Sequence, residues 1–177
     1  MTDTATPPQT DAATRLLIAD HRETRALADR YRALVEGDAD ADERDGVGEE
    51  LCELLIVHAT LEEELLYPAA VAAGVDPALI DAQNHARVRE GIARVRTLPR
   101  GDAQRARELL ALADAAVRHA EEEEAGVFPA CRAASIDLDA LGERLNERQA
   151  DLLVEREGRA EPSEAGGLAD LVRKVFG

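Results

Sequence analysis

The chain has 177 residues, enough for one domain that buries most of its apolar surface without disulfide or zinc staples. Its composition is 45% hydrophobic but only 2% aromatic, with no Trp, so the core must be built from Ala, Leu and Val, which favours an all-α fold over sheets. A formal net charge of −16, from 37 acidic against 21 basic residues, argues against binding to nucleic acid or to anionic membrane surfaces.

The first ten residues, MTDTATPPQT, carry neither a basic start nor an apolar run, and read as a flexible terminus (1–10) rather than a targeting segment. No stretch of 18 apolar residues follows, so a soluble, cytoplasmic protein is expected. The first helix is predicted from a Thr10 or Asp11 cap through Leu16, Leu17, Leu27, Leu34 and Val35 to Gly37. Beyond it, Asp38, Asp40, Asp42 and Glu49 fall at positions 1, 3, 5 and 12 of a calcium loop. Glu43 stands where that loop needs Gly, and the segment reads as a solvated acidic loop.

A second helix is expected from about Glu49 to Ala73, stopped by Gly74. Asp76-Pro77 supplies a cap and an N1 proline for a third, which ends near Leu98-Pro99. Gly101-Asp102 opens a fourth. The short connections force antiparallel neighbours, so the four helices are predicted to form an up-down-up-down bundle over residues 11–135. An additional helix falls within 136–157, from about Asp137 to Glu155. Residues 158–177 read as a polar linker and a short amphipathic C-terminal helix, with Leu168, Leu171, Val172, Val175 and Phe176 on one face. Nine residues do not hold a helix alone in water, so 168–176 is expected to dock on its own bundle, a second subunit or another protein. Cys52 and Cys131 are isolated and read as reduced, partly buried thiols.

All four histidines fall into two matching halves. HATLEEELLYP (58–68) and HAEEEEAGVFP (119–129) align without a gap, sharing the His, the Ala, the Glu at the fourth and fifth places after the His, an aromatic and the Pro. One further histidine, His21 or His85, precedes each. Such an internal duplication is expected to pack about a pseudo-twofold axis and share one site there. A residue four places on shares a helix face, so His58 with Glu62, and His119 with Glu123, each present an imidazole beside a carboxylate. The apolar neighbours Leu51, Leu54, Leu55, Leu61 and Leu65 turn the first pair inward; Val88, Ile92 and Val95 do the same for His85, and Leu17 and Ile18 for His21. Two buried carboxylates with no Lys or Arg on their stripes need a counter-charge, and one or two divalent cations supply it. Imidazole and carboxylate without thiolate suit iron, manganese or zinc. The Glu-x-x-His signature of ferritin-like di-iron bundles is absent.

These residues resemble the hemerythrin-like family, the HHE cation-binding domains: Asp20-His21 on helix one, HATLEEELLYP on helix two, Asn84-His85 on helix three and HAEEEEAGVFP on helix four, covering about residues 11 to 133. The resemblance implies two non-haem iron ions, oxo- or hydroxo-bridged, with Glu62 and Glu123 as bridging carboxylates, His21 and His58 on one iron, and His85 and His119 on the other; zinc or manganese are the alternatives. Oxygen-carrying members have a further histidine one turn before the third-helix one, where this chain has Asp81, either an extra ligand or a residue placed for the helix dipole. That departure argues against simple reversible oxygen carriage.

The function expected from the resemblance is binding or turnover of a small oxidant (peroxide, oxygen or nitric oxide), catalase-like if peroxide is dismutated. Two alternatives stand beside it. One is a non-catalytic iron or gas sensor, or metal store, acting through a protein partner. The other is repair of damaged iron centres, whose proteins usually carry a cysteine-bearing N-terminal domain that this chain lacks.

Overall fold

The computed structural model describes residues 11–158. The expected flexible terminus (1–10), most of the linker and the amphipathic helix at 168–176 lie outside the described residues. Within them the chain forms α1 (Ala12–Glu36), α2 (Ala41–Leu61), a π-helical turn (Glu62–Leu66), α3 (Tyr67–Ala72), a 3-10 turn (Pro77–Leu79), α4 (Ala82–Thr97), α5 (Ala103–Ala125), α6 (Val127–Ala133) and α7 (Leu138–Glu157), with no strand among the described residues. None of these helices is long and apolar enough to cross a membrane.

The caps follow the sequence closely. Asp11, Asp40, Asp76, Asp81, Asp102 and Asp137 each accept a backbone N–H from the first turn that follows, satisfying donors that no helical carbonyl can reach. Gly74, at φ +85°, takes the left-handed conformation that closes α3. α1 packs against α2 and α5, and α4 against α5 and α2, which gives the four-sided bundle; α7 lies outside it against α1 and α2.

Three elements differ from expectation. The acidic segment after Asp40 is helical, so α2 starts eight residues early. Asp40 caps it, Asp42 and Glu43 favour its positive end, and Gly48 is required where Leu109 closes in: a Cβ there would lie 2.6 Å from Leu109 Cδ1. Asp45, read as solvated, is buried against Arg105. Asp76-Pro77 caps a single 3-10 turn, and the third long helix restarts at Asp81, whose carboxylate accepts from the Asn84 backbone N–H and from Arg87. The second helix is also interrupted. Pro68 cannot donate to the carbonyl four residues back, and the chain widens before it into a π turn in which the Tyr67 N–H reaches Glu62 O.

Two apolar clusters fill the bundle. One gathers Leu17, Leu61, Leu66, Phe128 and Leu145; the other gathers Leu27, Tyr31, Leu51, Val95 and Leu109. Cys52 and Cys131 belong to these clusters, and burial pushes their thiols up to about 12 and about 11. α7 approaches α1 so closely that a Cβ on Gly142 would stand 2.5 Å from Ala12 Cβ.

The far end is tied by a buried ion pair. Arg105 Nε lies 2.9 Å from Asp45 Oδ1, Arg105 also donates to Val95 O at 2.6 Å, and Asp45 Oδ2 accepts from the Gly101 N–H. The set joins the start of α2, the end of α4 and the start of α5. Asp45→Ala strands the Arg105 charge in the core and is expected to lower unfolding free energy by about 3–5 kcal/mol, read from urea denaturation. A loss below about 1 kcal/mol would show the guanidinium to be already solvated.

Candidate metal centre

Four helices each bring one histidine to the level between the two apolar clusters. His21 comes from α1, His58 from α2, His85 from α4 and His119 from α5, and all are buried. Glu62 is fully buried and Glu123 is 2% exposed. The i, i+4 spacing sets each glutamate beside the histidine of its own helix, and the bundle closes the two pairs onto one another.

The six side chains meet in a single cluster. His21 Nε2 is 3.2 Å from His58 Nε2, and His85 Nε2 is 2.9 Å from His119 Nε2. Glu62 Oε2 stands 3.3 Å from both His58 Nε2 and His85 Nε2, while Glu123 Oε2 stands 3.3 Å from His21 Nε2 and 3.6 Å from His119 Nε2. Each carboxylate thus faces one imidazole from each half. Two overlapping groups result, His21, His58, Glu62 and Glu123, and Glu62, His85, His119 and Glu123, with the candidate ligand atoms in each within 4.8 Å of one another. Atoms bound to a common ion at 2.0–2.2 Å sit up to roughly 4 Å apart, so a small inward movement suffices to hold a metal in either group.

The donors also need one. Glu62 Oε1 and Glu123 Oε2 are buried without a hydrogen-bond partner, although carboxylate oxygens so placed cost several kcal/mol each unless compensated. With imidazoles and carboxylates only, and both thiols elsewhere, the set fits a divalent transition metal. Asp81 is outside both groups, its carboxylate committed to capping α4 and to Arg87. Of the two readings of Asp81, the extra-ligand one is therefore the one the structure overturns.

The family-model comparison agrees with this geometry: the Hemerythrin HHE cation binding domain matches residues 12–131. The chain belongs to the hemerythrin HHE family. No curated protein and no solved structure matches it. In this member the helical bundle and the buried His/Glu groups of a cation-binding domain are both present.

Several contacting residues escape a reading of the histidines alone. The far nitrogens of three of the four imidazoles face carboxylates. His21 Nδ1 meets Glu124 Oε1 at 2.9 Å, where Arg25 also donates; His85 Nδ1 meets Glu63 Oε1 at 3.2 Å, where Arg89 also donates. The two arrangements are equivalent under the repeat. Arg25 and Arg89 stand four residues after their histidines, and Glu124 and Glu63 five residues after His119 and His58, so the shared fifth-position Glu was the available signal. His58 Nδ1 faces Asp20 Oδ2 at 3.4 Å, and Gln149 of α7 donates to Asp20. Tyr67 donates its hydroxyl to Glu123 Oε1 at 2.6 Å and lies 3.3 Å from Glu62 Oε2. The π turn is what carries that hydroxyl inward. Tyr67 also stacks on His85 and Phe128 on His21, with ring centroids 5.5 Å apart in each pair.

Charge within the metal-free cluster is shared out by proximity. Burial alone would raise the carboxyls, but the imidazoles beside them hold Glu62 below, and Glu123 well below, their ordinary 4.5. Burial alone would lower His58, and the Glu62 carboxylate beside it holds it well above 6.5. Burial and both carboxylates keep the Tyr67 hydroxyl protonated far into the alkaline range. A depressed carboxyl stabilises the fold above about pH 4.5, and that contribution is lost as pH falls through its lowered value. The midpoint temperature of chelator-treated protein should therefore fall steeply on acidification below about pH 4.5, and less steeply in Glu123→Gln; parallel curves would remove Glu123 from the cause.

Proposed function

We propose that the protein holds two iron ions in the cluster, His21 and His58 serving one, His85 and His119 the other, with Glu62 and Glu123 shared between them, and that it binds or turns over a small oxidant there. The observation that carries this reading is the placement of each glutamate's Oε2 against one imidazole from each half. A single carboxylate aimed at two histidine pairs is the arrangement a two-ion site requires. Bound there, iron would supply the one-electron couple through which peroxide, oxygen or nitric oxide is held or converted.

The chain's own contribution is positioning and exclusion of bulk water. Leu17, Leu61, Leu66 and Phe128 wall one side of the cluster, and all six candidate ligands are buried, so the charges act in a low dielectric. Glu124 with Arg25, and Glu63 with Arg89, fix which ring nitrogens of His21 and His85 face inward. Tyr67 keeps a proton at its hydroxyl oxygen and offers it to Glu123, fixing that carboxylate's orientation. Four histidines and two glutamates leave each ion short of six ligands, which is where an exogenous oxidant has room to enter. Dismutation of peroxide is the turnover this constellation favours.

Protein purified without a histidine tag should carry close to two iron ions per chain and show a visible charge-transfer absorption that peroxide perturbs. His119→Ala should lower the iron content by half or more, and the midpoint temperature with it, because Glu62 and Glu123 lose their compensation. Unchanged metal content in that variant, or zinc alone in the native chain, would overturn the two-iron reading; full iron with no response to peroxide would favour a sensor or store.

A further inference from the structure

The two halves of the cluster are related by the repeat but are not supported alike. Under the equivalence of α1 with α4 and of α2 with α5, the glutamate and arginine contacts of one half have counterparts on the other, and the aspartate contact does not. The histidines of α1 and α4 are both backed by a carboxylate that an arginine also holds. The histidines of α2 and α5 are treated differently. His58 Nδ1 faces the buried carboxylate of Asp20, which Gln149 Nε2 approaches at 3.3 Å. The residue in Asp20's place in the second half is Asn84, and His119 Nδ1 is buried with no hydrogen-bond partner. α7, which brings Gln149, packs on α1 and α2, where the close crossing of Gly142 over Ala12 fixes it.

A carboxylate on the far nitrogen of a metal-bound imidazole fixes the ring's tautomer and orientation and raises its basicity, and losing such a partner typically costs 10–100-fold in metal affinity. Asp20 also places a negative charge next to one ion position, where Asn84 places none beside the other. We propose that the two positions hold metal with unequal strength, the His21/His58 half filling first and the His85/His119 half holding an exchangeable ion. This inference rests on the two-ion reading above. The protein then passes through a singly loaded form when metal is scarce, and the second position responds to metal supply. That second position is also the half with a polar group beside it: the Tyr67 hydroxyl is 3.4 Å from His85 Nε2, whereas the aromatic beside His21 is Phe128.

The test is an anaerobic titration of the metal-free full-length chain with cobalt(II), followed by its visible absorption and by calorimetry. The native chain should bind two ions in two resolved steps, separated by about 10–100-fold in affinity. Asn84→Asp should narrow the gap by tightening the second step. Asp20→Asn should narrow it by weakening the first, which keeps the test open if one variant fails to fold. Two indistinguishable steps in the native chain, or an Asp20→Asn effect confined to the weaker step, would overturn the inference and leave the two-ion reading standing. Binding of a single ion would overturn that reading itself.

Discussion

The fold is organised around an unfavourable act: six ionisable side chains, two of them carboxylates, are withdrawn from water at the centre of a helical bundle. Apolar clusters above and below them give the helices their reason to associate, and that association carries the polar layer into the core. Without compensation the layer would cost several kcal/mol per carboxylate. In the metal-free chain it is offset in part by sharing protons among imidazoles and carboxylates, which is why His58 is held up and Glu123 held down. A metal in the same place offsets it more completely, so metal binding and stability of the bundle are one quantity seen from two sides.

The contrast with Asp45 and Arg105 makes the point sharper. That pair is buried too, but each partner is satisfied by the other and by backbone groups, leaving no oxygen aimed at empty neighbours. It closes one end of the bundle and carries no chemistry. The central layer is under-satisfied by comparison, with no hydrogen bond reaching Glu62 Oε1 or Glu123 Oε2. Structural ion pairs complete themselves; a layer of acceptors converging without enough protons calls for something from outside.

Much of this was legible in the sequence because duplication writes the site twice. The doubled His-x-x-x-Glu, with Leu and Val at helical spacing around it, marks two of the four helices, and the single histidine upstream of each copy marks the other two, so that six residues point to one site. What escaped was whatever the repeat does not predict. The π turn arises from Pro68 acting within a packed bundle, and Pro129 in the other half produces a break at Gly126 instead. The repeat aligns Tyr67 with Phe128, which has no hydroxyl, so it gives no sign of the bond from Tyr67 to Glu123. The acidic stretch after Asp38 reads as a solvated loop from its run of carboxylates, and Gly46 and Gly48 within it weaken a helix. Contact with Leu109 and Tyr31 makes the absence of a side chain at Gly48 an advantage.

Departures from symmetry are therefore where this member of the family differs from its own blueprint. A perfect duplication would give two equal halves. Here one half has an aspartate, a glutamine delivered by α7 and a phenylalanine against its histidines, and the other has an asparagine, an unpartnered imidazole nitrogen and a tyrosine. Substitution at Asp20 or Asn84 leaves the six inward-facing side chains in place and changes only what stands behind them. The strength with which each half holds an ion can thus drift apart while the cluster itself persists. α7 adds a further handle, because this helix outside the four-sided bundle reaches the layer through Gln149 and Asp20, so a shift of α7 against α1 bears on the His21/His58 half.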